Sequence, residues 1–364
     1  MPDLPETIRD EAELDEVLSR PSPELIEFIA GLGGRLLILG AGGKVGPTLT
    51  RMAHRAAEAA GAAVEIIAVG RRPLADLEAA GVRTLVCDLL DPEAVARLPR
   101  AENVVFMAGR KFGSTGAEAV TWAANVIVPY HVARVFTASR VAVFSTGGVY
   151  PLGDVADGGA TEETPVDPVG EYAMSCLGRE RVFDYFSRTA GERVVHLRLN
   201  YAVEMRYGVL VDVATKVWQG RPVDVTTAWA NVIWQGDACD GSLRSLAVAA
   251  SPSRPLNITG PGMVSIVDLA ETFGRLLGKP AILTGTTRGW SAWRRCLTPR
   301  KMNSSSIVEP WAGSFRWWGF TFSRRPGAAF SRTGSGGASP RSRPSWPSRS
   351  PRSTGTGRST WSAR

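Results

Sequence analysis

The sequence predicts an α/β fold: a doubly wound parallel sheet with helices on both faces, followed by a smaller C-terminal lobe. Three observations predict it. The apolar run Leu36-Leu37-Ile38-Leu39 leads directly into glycines spaced G-x-x-G-x-x-G, at Gly40, Gly43 and Gly46, and a helical pattern begins at Pro47. Further apolar runs recur at Val64–Val69, Thr84–Cys87, Val104–Met107 and Val141–Phe144, separated by helical stretches of roughly 10–15 residues, which is the pattern of a parallel sheet. A chain of 364 residues is also long enough for one large domain or for two lobes sharing a cleft. Strand, glycine turn and helix in that order form the entry to a Rossmann-type dinucleotide site. The glycines turn the chain off the strand, let the backbone approach a pyrophosphate and pack the helix on the sheet, with the helix N-terminus facing the phosphates.

Taken in order, residues 1–34 are acidic and carry helical spacing at Leu14, Val17 and Leu18 and again at Leu25, Ile26 and Ile29, with Pro21-Ser22-Pro23 between. This reads as two short helices lying against the main domain. The helix over 47–60 starts with Pro47, suited to a first helical position, and ends at Gly61, suited to a helix C-terminus. In the glycine loop, Gly40, Gly43, Lys44, Val45 and Gly46 are the expected cofactor contacts. The second strand leads into Gly70-Arg71-Arg72, where such a fold reads the adenosine ribose. No acid stands there, and Arg71 and Arg72 favour the extra phosphate of NADP over NAD; the alternative is a solvated turn. After the third strand, Asp88 and Leu89 are placed at the adenine, although an acid before a helix is as often a cap. Ala108 and Gly109 follow the fourth strand and are further expected cofactor contacts. The boundaries read as a helical extension over 1–34, a dinucleotide-binding domain over 35–199, a substrate lobe over 200–284 and a basic tail over 285–364.

The order GAGGKVG, CDLLD, VVFMAG, Asn125 on a helix, VFSTGGVYP and EYAMSCLGRE resembles the extended short-chain dehydrogenase/reductase family, the NAD(P)-dependent sugar-nucleotide epimerases and dehydratases. The similarity continues through LRLNYAV, ANVIWQGD and PLNITGPGMVSIVDLAETFGRLLG, and covers roughly residues 35–284. The resemblance implies a hydride moved between a nicotinamide and a substrate alcohol or ketone, sugar-like or nucleotide-linked. It implies Tyr172 as general acid/base and as a cofactor contact, and Thr146 as the hydroxyl that holds the substrate oxygen. It also implies Asn125 and Asn200 beside the substrate, Asp237 in a structural role, and a homodimer formed through helices next to the site.

One position departs from the family pattern. A lysine normally stands four residues after the tyrosine, because a phenol with a pKa near 10 is a poor base at neutral pH unless a fixed cation favours the phenolate. Here that position is Cys176. Three readings stay open: Lys111 or Arg179 supplies the cation; the site binds dinucleotide as a sensor or scaffold with little or no turnover; or Cys176 is a small buried helix residue in a protein of different chemistry. A cysteine nucleophile is disfavoured, since no histidine is near it in sequence. Trp229 and Trp234 in the smaller lobe suit stacking on a flat or sugar-like ring, or a place in the core.

The net charge of +7 is unevenly spread. From residue 285 onward there are 15 basic residues and a single acid, Glu309, so the chain before it is mildly acidic. That stretch also holds seven of the eleven tryptophans and few aliphatic residues, too few to build a core. It reads either as a nucleic-acid-binding arm or as the product of a shifted reading frame, and the composition favours the second, so nucleic acid is not the expected partner. Cys87, Cys176, Cys239 and Cys296 lie far apart, as do the three histidines, so neither disulfides nor a metal site is indicated. With no apolar run of 18 residues and no signal-peptide pattern, the expectation is a cytoplasmic protein with a small-molecule substrate and no membrane contact.

Overall fold

The computed structural model describes residues 5–111, 113–154, 159–286 and 290–291. Apart from residues 285–286 and 290–291, the basic tail and both readings of it lie outside the described residues. Two short helices come first, α1 (Glu11–Leu18) and α2 (Pro23–Ala30), with Asp10 and Ser22 capping them through their side chains. Leu14, Val17, Leu18, Leu25 and Ile29 are buried against the body of the protein. Arg51 pairs with Asp15 at 2.6 Å and the Ser22 amide donates to Asp240 at 3.1 Å, fixing both helices there.

The main layer follows: β1 (Arg35–Leu39), α3 (Gly46–Ala60), β2 (Glu65–Gly70), α4 (Ala75–Glu78), β3 (Arg83–Val86), α5 (Pro92–Ala96) and β4 (Asn103–Phe106). Next come α6 (Glu118–Trp122), a π-helical turn over Ala123–Ile127, α7 (Val128–Val135), β5 (Arg140–Thr146), the short β6 (Gly153–Asp154), α8 (Glu171–Ala190) and β7 (Arg193–Leu199). The rest comprises β8 (Tyr201–Val203), α9 (Val209–Trp218), β9 (Val223–Asp224), β10 (Trp229–Trp234), α10 (Gln235–Arg244), β11 (Arg254–Ile258), β12 (Met263–Ser265) and α11 (Ile266–Leu277).

Seven strands form one sheet in the order β11-β7-β5-β4-β1-β2-β3, every pair parallel. The order reverses between β1 and β4, which places the topological switch point at the end of β1. After Arg35, strand β1 is apolar because it is buried on both faces. Leu36 and Ile38 point into one core with Leu49 of α3, Leu25 of α2 and Leu243 of α10, and Leu37 and Leu39 into another with Val132 of α7 and Phe183 of α8.

A third apolar cluster joins Val203, Val213, Val217, Val232, Ile266 and Phe273 around the small sheet β12-β10-β8. The stretch 200–284 does not stay in that lobe. After β10 the chain returns to the main layer, where Ala238, Cys239 and Leu243 of α10 pack with α3 and β11 adds the edge strand beside β7. The apolar face of α10 and the strand register decide this, and the sequence reading, which assigned the whole stretch to one lobe, lacked that long-range pairing. Among the described residues no helix is long and apolar enough to cross a membrane.

Candidate functional site

The carboxyl ends of the parallel strands gather the predicted site residues along one edge of the sheet. At the end of β1 the three glycines have separate jobs. Gly40 has a left-handed φ of +94°, and a Cβ there would come within 2.6 Å of the Ala108 nitrogen, so it makes the turn beneath the end of β4. A Cβ on Gly46 would overlap the carbonyl of Ala41, so this residue lets α3 close onto the loop. Gly43 is different: a Cβ would meet nothing nearer than the Gly40 oxygen at 3.5 Å, an ordinary contact. Nothing among the described residues requires a glycine at this position, and the space it leaves lies on the loop. Helix α3 has no side-chain cap at Val45, so its first amides are open to an anion. The Lys44 ammonium sits 4.5 Å from the centre of the Tyr207 ring. These residues fit a dinucleotide pyrophosphate: an open cradle at a glycine, unclaimed helix amides and a nearby cation.

The other expected cofactor residues are less uniform. Arg71 and Arg72 are exposed just past β2. Asp88 is exposed and accepts from the Leu90 amide at 3.1 Å, closing a local turn, while Asp91 caps α5. Leu89 is buried, with its carbonyl 3.2 Å from His131 Nδ1. Ala108 and Gly109 follow β4, and a Cβ on Gly109 would overlap the guanidinium of Arg179 and come within 2.9 Å of Asn125 Oδ1.

Thr146 ends β5 and Tyr172 stands in the first turn of α8. The Thr146 hydroxyl and the Cys176 sulfur stand beside the Tyr172 phenol, the first favouring its ionisation and the second opposing it. Burial, then the Cys176 sulfur, pushes the phenol well above its ordinary range, against the pull of the Arg179 charge. Burial also raises the thiol of Cys176, which is fully enclosed and neutral at physiological pH. Lys111, on the loop after β4, holds its ammonium 5.9 Å from the centre of the Tyr172 ring and 5.7 Å from that of Tyr201. The residue keeps exposed surface, but its amine end is crowded, and burial followed by the Lys44 charge lowers its pKa.

Asn125 corrects its expected place beside the substrate. It is fully buried in the π-helical turn, accepts from the Arg110 amide at 2.8 Å and from Arg179 at 2.7 Å, and donates to the Arg110 carbonyl and to Ser175. Its amide is committed to holding the loop after β4 against α8, and the extra residue of the π turn aims it there. Asn200 donates to Asn231 at 3.0 Å and to Thr259 at 3.2 Å, tying the end of β7 to β10, and Gly147 passes so close that a Cβ would overlap the Asn200 carbonyl oxygen. Asp237 lies in the first turn of α10, where burial and then Asp240 raise its carboxyl to about 6.

Sequence reasoning missed the pair beneath the site. Arg198 of β7 and Glu180 of α8 are both buried and meet at 2.8 Å; Ser145 donates to Glu180 at 2.6 Å, and Arg198 donates to the Tyr150 hydroxyl at 2.9 Å. Burial works to raise the Glu180 carboxyl, but Arg198, His196 and Ser145 hold it below the usual range. The available signal was Glu180 itself, one and two turns along the same helix face as Cys176 and Tyr172.

The sheet order, the glycine loop at its switch point and the hydroxyl pair on the same edge define a class: doubly wound α/β proteins that take a ligand at the strands' carboxyl ends. The family model described as "NAD dependent epimerase/dehydratase family" matches residues 36–241. The chain belongs to that family. Among solved structures it is similar to DesIV, a dTDP-glucose 4,6-dehydratase from Streptomyces venezuelae with NAD and TYD bound, at 23% identity and a TM-score of 0.62, covering 72% of this chain and 88% of that one. It is also similar to UDP-glucose 4-epimerase from Thermotoga maritima, with UDP-glucose, at 17% identity and a TM-score of 0.59, covering 72% and 89%. MoeE5 in complex with UDP-glucose and NAD gives 21% identity and a TM-score of 0.56 over 70% and 86%. At these identities the likeness concerns the fold. A comparison with curated proteins gave no match.

Proposed function

We propose that this chain binds a nicotinamide dinucleotide on the glycine loop and acts as an epimerase, dehydratase or reductase on a hydroxyl or ketone of a nucleotide-linked sugar. The observation that carries the reading is that Thr146, at the end of β5, and Tyr172, at the start of α8, stand together at the carboxyl edge of the sheet that also holds the glycine loop. When bound, the nicotinamide accepts or returns a hydride at a substrate carbon. Thr146 orients the substrate oxygen toward the phenol, and Tyr172 carries the proton that leaves or joins that oxygen. Gly40, Gly43, Lys44, Val45 and Gly46 hold the pyrophosphate; Asp88, Leu89, Ala108 and Gly109 flank the adenosine and nicotinamide halves. Arg71 and Arg72 favour NADP, because two guanidinium groups and no acid stand at the ribose end of β2. Asn200 borders the substrate side. The nucleotide sugars bound by the similar structures support the substrate class.

The test is a screen of UDP- and dTDP-linked hexoses with NAD and with NADP, products resolved by chromatography, on wild type and Tyr172→Phe. A product formed by the wild type and not by the variant supports the assignment; equal product from both removes Tyr172 from the mechanism. Cys176 favours a second reading, a dinucleotide-responsive protein with little turnover, since a neutral enclosed thiol stands where a cation is expected. On that reading Cys176→Lys raises a near-zero rate, and an efficient wild type counts against it.

A further inference from the structure

The guanidinium of Arg179 is buried under the loop that follows β4. Nη1 donates to the Phe144 carbonyl at 2.6 Å and Nη2 to Asn125 Oδ1 at 2.7 Å, and both acceptors are neutral. Its Nε meets no acceptor, and the described residues include no carboxylate paired with it; the adjacent Glu180 is engaged by Arg198 instead. A guanidinium does not lose its proton inside a protein, so a full positive charge sits here without a counter-ion among the described residues. Such a charge is costly to enclose, and the surrounding hydrogen bonds hold it in one place.

Tyr172, Cys176 and Arg179 stand at i, i+4 and i+7 on α8, so the buried guanidinium projects from the helix face that also carries the phenol and the thiol. We propose that Arg179 is the fixed cation that governs the charge state of Tyr172, acting from beneath the loop where a lysine at position 176 would act from the helix. The inference rests on the reading of Tyr172 as the proton-carrying group. It makes Arg179 a positioning residue: it works through the phenol and not on the substrate. The groups that face the phenol are Cys176 and Arg179 from α8, Thr146 from β5 and Lys111 from the loop after β4. Of these, Arg179 draws the ionisation of both Tyr172 and Cys176 downward. Lys111 lies over the face of the ring, on a residue that keeps exposed surface, and its charge is shared with the Tyr201 ring. The bond that Arg179 donates to Asn125 also gives the buried asparagine its purpose, as the anchor that fixes this charge below Gly109.

The experiment reads the ionisation of residue 172 without substrate. The full chain is produced with a fluorinated tyrosine, whose phenol ionises at lower pH, and the resonance of position 172 is assigned by its loss in Tyr172→Phe and followed by fluorine NMR against pH. Arg179→Gln keeps donors for Phe144 and Asn125 while removing the charge, and the midpoint rises by about one pH unit or more. Adding Cys176→Lys to that variant brings the midpoint back down by at least about half of that shift, and Lys111→Met moves it by less than Arg179→Gln does. Arg179→Lys keeps the charge and holds the midpoint within about half a unit. A folded Arg179→Gln with an unchanged midpoint overturns the proposal, as does a larger shift in Lys111→Met. If Arg179→Gln does not fold, Arg179→Lys decides: a held midpoint supports the charge role, and a rise of about a unit contradicts it. Because no turnover is needed, a chain that converts no sugar nucleotide would sink the enzymatic reading while leaving this midpoint measurable.

Discussion

The glycine loop and the start of α8 lie on the same edge of one sheet, yet they are specified in different ways. The loop works through backbone: Gly40 must turn, Gly46 must let the helix close, and Gly43 leaves room on the loop. Its rules are local and follow the family's spacing throughout. The start of α8 works through side chains brought from three separate elements, and there the family pattern is broken at Cys176. A backbone device tolerates little change, whereas an electrostatic one can be rebuilt with a different cation in a different place.

If that contrast is right, the largest effect on chemistry comes from the side-chain half. Tyr172→Phe lowers turnover by about 10²–10⁴-fold while nicotinamide affinity changes little, checked by steady-state rates beside fluorescence binding. The strongest effect on stability comes from the ion pair that supports it. Glu180→Gln leaves Arg198 buried without its counter-charge and costs about 3–5 kcal/mol in denaturant unfolding. An effect below about 0.5 kcal/mol would show that Ser145 and Tyr150 alone satisfy Arg198.

The far end of α8 separates stability from chemistry in pH experiments. Glu192 is enclosed, neither carboxylate oxygen has a partner among the described residues, and burial pushes it up to about 9 from an ordinary 4.5. The folded state therefore holds a proton that the unfolded chain has released between those values. Stability falls as pH rises through that window. Glu192→Gln removes the slope and gains on the order of 2 kcal/mol at pH 8, read as the difference between thermal unfolding at pH 5 and pH 8. A slope that survives the substitution assigns the pH dependence to other groups. The smallest effect belongs to the backbone half: Gly43→Ala leaves the melting temperature unchanged and weakens cofactor binding by about tenfold or more, since only the bound phosphate would meet the new methyl.

The same contrast sets what the sequence revealed. Strand β1, the loop and α3 were legible because an apolar run, a glycine spacing and a helix start all fall within about 25 consecutive residues, and each is a local signal. Tyr172 and Thr146 were legible only through the order of motifs. The burial of Asn125, the Arg198–Glu180 pair and the place of Arg179 were not legible, since each joins residues from different elements and leaves no periodic trace. The return of α10 and β11 to the main sheet was hidden for the same reason: strand pairing across 59 residues is a property of register and not of composition.

The central claim is that the glycine loop is a working dinucleotide cradle, and the direct measurement is a titration with NADH and with NADPH followed by nicotinamide fluorescence on wild type and Gly43→Ala. The account predicts saturable binding by the wild type, tighter for NADPH through Arg71 and Arg72, and about tenfold or weaker binding by a variant of equal stability. A folded wild type that binds neither cofactor, or a Gly43→Ala variant that binds as well as the wild type, would contradict it.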